Sequence, residues 1–156
     1  MSGPEVVAFA DVPSLEGRVF EGAPFELTAS EQDTFERATW IDRAYPDPDP
    51  PEFPDEIIEG FYALSMLDAL QKSCFRIDTD QAYGFNYGLD RVRFIRPLFI
   101  GDAITPRFEI ASVERRGEGF LMRMLCQLIV DGAEPPKMTA EWLVLVLPRP
   151  TFELAV

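Results

Sequence analysis

Residues 57–70 read IIEGFYALSMLDAL. In helical register this stretch makes about four turns, and Glu59, Ser65 and Asp68 are its clearly polar side chains, so apolar groups occupy nearly the whole circumference. Such a helix needs a buried setting. It is too short to cross a bilayer and carries two carboxylates, which places that setting inside a protein. Downstream, residues 85–95, 103–113, 120–130 and 138–147 alternate in the manner of strands. One buried helix followed by long strands and tight turns predicts an α+β fold, with an antiparallel sheet curved around a helix over about residues 56–73.

The 156 residues are 47% hydrophobic and 12% aromatic, enough to bury a core as one domain over 1–156. The formal charge is −13 and histidine is absent. A field of that sign repels phosphate backbones and anionic lipid surfaces, which argues against nucleic acid and membranes as partners. The N-terminus, MSGPEVVAFADVPSLEG, lacks a basic start followed by an apolar block, and no uninterrupted apolar run approaches about 18 residues. The expectation is a cytoplasmic protein.

Cys74 and Cys126 are the two cysteines; they lie far apart in sequence and outside any CxxC pair, and read as reduced core thiols. Without histidine, serine–histidine and cysteine–histidine nucleophile systems are excluded, and a zinc site would need carboxylates and two isolated thiols. No metal and no cofactor are expected. Any chemistry must use carboxylates, tyrosines, hydroxyls, amide donors or water.

In chain order, residues 1–16 read as a loosely held arm and 17–28 as one or two short strands. A first helix is expected from about Ser30 to Thr39, with Ser30 and Asp33 resembling a capping arrangement and Phe35 and Ala38 facing inward. Residues 40–55, WIDRAYPDPDPPEFPD, contain five prolines, which predicts a loop and not a helix or central strand. It is either an acid-rich surface excursion or a flap beside the start of the 57–70 helix. Residues 85–100, FNYGLDRVRFIRPLFI, carry the strongest strand alternation, with Leu89, Val92 and Phe94 opposed to Asp90, Arg91 and Arg93, although Leu89 breaks a strict period of two. Residues 115–119 and Asp131-Gly132 read as hairpin tips in an antiparallel meander.

Three blocks carry a family resemblance. Glu59-Gly60-Phe61-Tyr62-Ala63-Leu64-Ser65 resembles the HGFLTLS segment opening the central helix of MaoC-like (R)-specific enoyl-CoA hydratases, which have the hot-dog fold. Residues 86–94, NYGLDRVRF, are similar to the NYGLNKVRF run of the NodN-type branch, and Pro97 with Gly101 continues its turn. Residues 136–142, PKMTAEW, resemble that branch's KPACVAEW strand. The resemblance covers about residues 28–148. It implies a lyase acting on an acyl thioester, sites at a subunit boundary, and a homodimer or pairing with another hot-dog chain. Ala38-Thr39 matches the start of the family's ATGDHQWIH signature, whose aspartate and last histidine form the hydratase dyad. Here Ile41 falls in the aspartate column and a one-residue shift puts Asp42 there, but no shift recovers a histidine.

The catalytic candidates are therefore Asp42, Glu59 and Asp47. Glu59 replaces the histidine beside Gly60, and partial burial among Ile57, Ile58 and Phe61 would raise its pKa toward acid–base work. Its alternative role is a helix-N-terminal acid facing solvent, and those of Asp42 and Asp47 are hydrated loop acids. The substrate-binding candidates are Gly60, Asn86, Tyr87 and Arg93. Gly60 offers the free amides of a helix start and close approach to a thioester carbonyl, or simply lets the helix pack tightly. Asn86 and Tyr87 either line an acyl pocket or complete the sheet. Arg91, Arg93 and Arg96 either meet coenzyme A phosphates or pair with acids across a subunit boundary. Two readings follow: a hydratase or dehydratase with a non-standard site, or a non-catalytic acyl-thioester-binding subunit beside a partner that carries the dyad.

Overall fold

The computed structural model describes residues 3–44 and 56–150. Its frame is a five-stranded antiparallel sheet of β2 (Val19–Glu21), β5 (Ile104–Arg116), β6 (Gly119–Val130), β7 (Met138–Pro148) and β4 (Ala82–Phe94), in the order β2-β5-β6-β7-β4. The meander expected from sequence is β5-β6-β7. Its tips lie where Gly117, and then Asp131 with Gly132, take positive φ, the geometry that tight hairpin turns demand. β4 pairs with β7 and forms one edge of the sheet.

The strands were legible because they alternate. On β5, Ile104, Pro106, Phe108 and Ile110 are buried, while Thr105, Arg107 and Glu109 between them are half-exposed. On β6 and β7 the same inner face carries Met122, Met124, Cys126, Leu128, Met138, Ala140 and Trp142. Each fully buried large apolar side chain stabilises the fold by roughly 1.5–3 kcal/mol, so this face is the main source of stability.

The helical stretch lies against that face, with three departures from expectation. It starts at Gly60, not near residue 56, because the preceding residues pair as extended chain: Ile57 bridges Phe99, and the Ile58 amide donates to the Leu98 carbonyl at 2.8 Å. It is also divided into α3 (Gly60–Ser65) and α4 (Leu67–Cys74). At Met66 one amide is shared between the Tyr62 and Ala63 carbonyls at 3.3 Å each, a local tightening. Tyr62, Ala63, Leu67 and Leu70 face the core, whereas Phe61 is 70% exposed. Burial on all sides, expected from composition, is thus corrected to burial on one face.

Three further expectations are corrected. The first sixteen residues are not a loose arm: β1 (Glu5–Val7) pairs in parallel with β3 (Phe75–Ile77), and a 3₁₀ helix over Phe9–Leu15 buries Val12 and Leu15 completely. Val12 closes a small second core with Ala82, Phe120 and Val146. Helix α1 (Ala29–Thr39) is capped by Thr28 and not by Ser30 with Asp33. Glu31 accepts from the Thr28 amide at 2.9 Å while the Thr28 hydroxyl accepts from the Glu31 amide at 3.3 Å, a reciprocal box. Ala38, expected to face inward, is exposed, whereas Phe35 packs inward on Tyr62 with ring centroids 4.9 Å apart. Within the stretch read as a loop, Ile41–Ala44 forms one helical turn, α2, following Trp40 at φ 65. The prolines begin after it, and residues 45–55 lie outside the described residues. Among the described residues no helix is long and apolar enough to cross a membrane.

Candidate functional site

A cavity of about 400 Å³ opens between the α3–α4 helices and edge strand β4. Phe61, Leu64 and Leu67 come from the helices, Asn86, Tyr87, Gly88 and Leu89 from β4, and Trp142 from β7. Two irregularities in β4 shape this wall. Asn86 opposes Val144 and Gly88 opposes Leu143, so Tyr87 is the additional residue of a bulge. A second register shift falls between Asp90 and Arg93, where Arg91 takes φ 48. These bulges are why Leu89 departs from a period of two, and they turn aromatic and aliphatic side chains toward an open edge. Phe85, Tyr87, Leu89 and Phe94 are each 44–50% exposed.

Asn86 and Tyr87 both line this cavity, each with a structural duty. Asn86 Oδ1 accepts a hydrogen bond from Trp142 Nε1 at 3.0 Å, which fixes the indole in the cavity wall. Tyr87 is covered by the Arg116 guanidinium, 5.0 Å from the ring centroid. Trp142, Leu64 and Asp68 were not singled out from sequence. Trp142 and Leu64 had a signal, as members of the 136–142 and 59–65 blocks.

Gly60 lies in a separate cavity of about 330 Å³, with Phe94, Arg96 and Lys137. A Cβ at this position would meet the Phe94 ring at 3.0–3.2 Å, so the glycine allows close packing of α3 on β4. Phe94 and Phe61 stand edge to face, with centroids 6.4 Å apart; Phe94 lines the Gly60 cavity and Phe61 the larger one. Glu59 precedes Gly60 as the half-buried N-terminal residue of α3, and its side chain caps nothing. Its position is set by Gln32, whose Oε1 accepts the Glu59 amide at 3.0 Å and whose Nε2 donates to the Ile57 carbonyl at 2.9 Å.

The remaining candidates are not gathered here. Asp42 is exposed on α2 and lines none of these cavities, and Asp47 lies outside the described residues. Arg93 is exposed and donates to the neighbouring Val92 carbonyl at 2.7 Å. Arg91 is engaged at 2.8 Å by Glu141, which also holds Arg123 at 2.7 Å, while Arg123 reaches Asp90 at 3.1 Å. That network ties the second bulge of β4 to β6 and β7. Arg96 alone of the three arginines borders a cavity.

Three titratable groups report on the surroundings. Burial, reinforced by the Glu31 carboxylate, raises the Tyr62 phenol above its ordinary value, so it stays protonated at neutral pH. Burial pushes the Cys126 thiol up to about 12, which makes it inert, and raises Cys74 as well. Both cysteines are free. Among the described residues, no three thiol or carboxylate side chains converge as a metal set.

No family model matches the chain. It is 33% identical over 95 residues to nodulation protein N of Rhizobium leguminosarum bv. viciae, covering 60% of this chain and 59% of that one. It is 29% identical over 93 residues to 3-hydroxyacyl-thioester dehydratase Z of Mycobacterium tuberculosis, covering 59% of this chain and 61% of the relative. Among solved structures, the monoamine oxidase regulatory protein from Archaeoglobus fulgidus superposes with a TM-score of 0.70 over 96% of this chain and 99% of its own, at 20% identity. The MaoC-like dehydratase from Rhodospirillum rubrum gives 0.65 over 86% and 94%, at 13% identity. The chain has the hot-dog fold. The match to the curated relatives spans about three-fifths of their length. In this chain the hot-dog helix is the α3–α4 pair, and the hot-dog sheet is the five-stranded one described above. The HadBC complex of M. tuberculosis, a 3R-hydroxyacyl-ACP dehydratase, shares the frame with a TM-score of 0.60 over 85% of this chain and 96% of its own, at 17% identity.

Proposed function

We propose that this chain binds an acyl thioester in the cavity between α3–α4 and β4, and that it serves hydration or dehydration chemistry of the enoyl-thioester type. The observation that carries the proposal is the cavity itself. Its walls are apolar side chains, Leu64, Leu67, Leu89 and Trp142, broken by a few polar groups, Ser65, Asp68 and Asn86. That composition suits an acyl chain with one polar end. The dehydratase names carried by relatives of the same frame agree with this reading.

Hydration of an enoyl thioester needs a base for water, an acid at the α-carbon and donors for the developing enolate oxygen. A chain without histidine must draw these from carboxylates and amides. Glu59, half-buried beside Gly60 with its side chain free of capping duty, is our candidate for this work, although it lines none of the three cavities and Gly60 borders the separate one. In this reading the acyl group fills the larger cavity and its thioester end reaches past Phe61 to the start of α3, where Glu59 handles the proton, while Asp42 and Asp47 are secondary.

A second reading, a non-catalytic acyl-binding subunit paired with a second hot-dog chain that carries the dyad, is favoured by the missing histidine and the exposure of Asp42. The open edge of β4, with its row of half-exposed apolar side chains, is where a second copy or a related chain would continue the sheet.

The purified chain, offered crotonyl-CoA and longer or ring-bearing enoyl-CoA substrates, separates the two. Turnover that is abolished in Glu59→Gln and retained in Asp42→Asn supports the lyase. Binding without turnover supports the subunit. If the chain neither binds nor converts any of them, both readings are wrong.

A further inference from the structure

We infer that Gln71 reads the far end of the acyl group, and that the chain takes a long acyl thioester whose tail ends in a hydroxyl. The inference rests on the thioester reading above and names the class of acyl group that it would take.

A third cavity, of about 520 Å³, continues the one beside Phe61, since both are lined by Asp68, Asn86 and Trp142. Its inner wall belongs to the core. Ala82, Met122, Trp142 and Val146 are each at most 4% exposed, and Gln71 of α4 joins them in the lining at 8%. Among the described residues Gln71 is the buried polar side chain of the molecule.

Its amide is only half engaged. Nε2 donates to the Phe75 carbonyl at 2.7 Å, and because a carbonyl can accept only from the nitrogen end, the orientation of the amide is fixed. Oε1 accepts from no described residue, yet among those residues no fully enclosed side-chain oxygen lacks a partner. Together these facts leave Oε1 open to the cavity that Gln71 lines. A buried acceptor without a protein partner is uncommon, because burial forfeits the hydrogen bonds of water. A ligand that brings a donor to Oε1 restores one of them.

Length and charge say what brings it. From Gly60, where the thioester end lies in this reading, to Gln71 the helical course rises roughly 16 Å. That distance takes roughly a dozen carbon–carbon bonds of about 1.5 Å laid in a zigzag. The outer rim of the cavity carries exposed Lys72, Arg76 and Arg149, with Asp68 as the one carboxylate in the lining. A tail ending in a carboxylate would be held by those cations at the rim, and deeper in would set its lone pairs against those of Oε1. A tail ending in an ammonium would be repelled by the same rim, and one ending in a methyl leaves Oε1 unpaired. A hydroxyl is neutral and donates.

Equilibrium titration of the purified chain with dodecanoyl-CoA, ω-hydroxydodecanoyl-CoA and the mono-CoA thioester of dodecanedioic acid tests this. The three share one length and a saturated chain, so a hydratase turns none of them over. The hydroxylated thioester is expected to bind about fivefold tighter than dodecanoyl-CoA, the effect of one net hydrogen bond to a group otherwise left unpaired. Gln71→Met keeps the length of the side chain without the acceptor, and is expected to reverse the preference because the hydroxyl then enters an apolar lining. Each ratio is read within one protein, so loosening caused by loss of the Phe75 bond cancels, and the ratio in the parent decides even if the variant does not fold. Equal or weaker binding of the hydroxylated tail, an unchanged preference in Gln71→Met, or tightest binding of the dicarboxylate overturns the inference and leaves the thioester reading standing. Binding of none of the three overturns both.

Discussion

Replacing Asn86 with alanine probes the wall of the cavity most directly. Asn86 Oδ1 accepts the Trp142 Nε1–H at 3.0 Å, and Trp142 is only 4% exposed. Removing the acceptor leaves an indole donor in the wall without its partner, and a buried donor left so costs about 1–3 kcal/mol. Asn86 itself is exposed on an edge strand, so water can enter from that side, which holds the expected loss to about 1–2 kcal/mol. For a chain of this size that lowers Tm by roughly 2–8 °C. Trp142→Phe removes the donor while keeping an aromatic ring, so the two substitutions together form a double-mutant cycle, read by urea unfolding followed with far-UV circular dichroism. A coupling of about 1 kcal/mol is expected, since each single change already destroys the same bond. Additivity to within about 0.3 kcal/mol would show that the bond contributes nothing and that Asn86 is free for a ligand.

Two further outcomes follow. Gly60→Ala gains helix propensity but presses on the Phe94 ring at 3.0 Å; because that ring is half exposed and can turn away, stability should stay within about 0.5 kcal/mol of the parent in thermal unfolding. If thioester affinity falls while stability holds, Gly60 is a binding residue; a large loss of stability would assign it to packing. The raised Cys126 thiol predicts alkaline sensitivity. The folded state keeps the thiol protonated up to about 12 while the unfolded chain ionises it from its ordinary value, so its contribution is complete below that ordinary value and is lost as pH climbs toward 12. Between those limits stability should fall by up to about 1.4 kcal/mol per pH unit more steeply than in Cys126→Ala. Parallel slopes for the two proteins would disprove it.

Periodic features of the fold were readable in one dimension. The strands of the meander and β4 fall within three residues of their expected ends, because burial on one face of a pleated sheet imposes a period of two. Both hairpin tips were visible in their turn residues. The 57–70 stretch announced a helix against the core, yet its uniform apolarity hid which face would be covered. Phe61 and Tyr62 are adjacent and equally apolar to the eye, but one is 70% exposed and the other 8%. The cap of α1 was misplaced because two plausible pairs overlap, Thr28 with Glu31 and Ser30 with Asp33, and only the backbone geometry at Thr28 selects between them.

The site divides in the same way. Gly60, Asn86 and Tyr87 could be picked out from their blocks of sequence, and each borders a cavity. Lys72, Arg76 and Arg149 could not be grouped from sequence, since they belong to three elements far apart in the chain. Sequence by itself determined the helix-and-meander frame and, through the absence of histidine, which chemistries are closed to the chain. Tertiary structure decided where the cavities open, how the bulges of β4 turn its side chains, and which cations share a rim. Periodicity is a local property of a chain, whereas a cavity depends on distances between segments that sequence order does not encode.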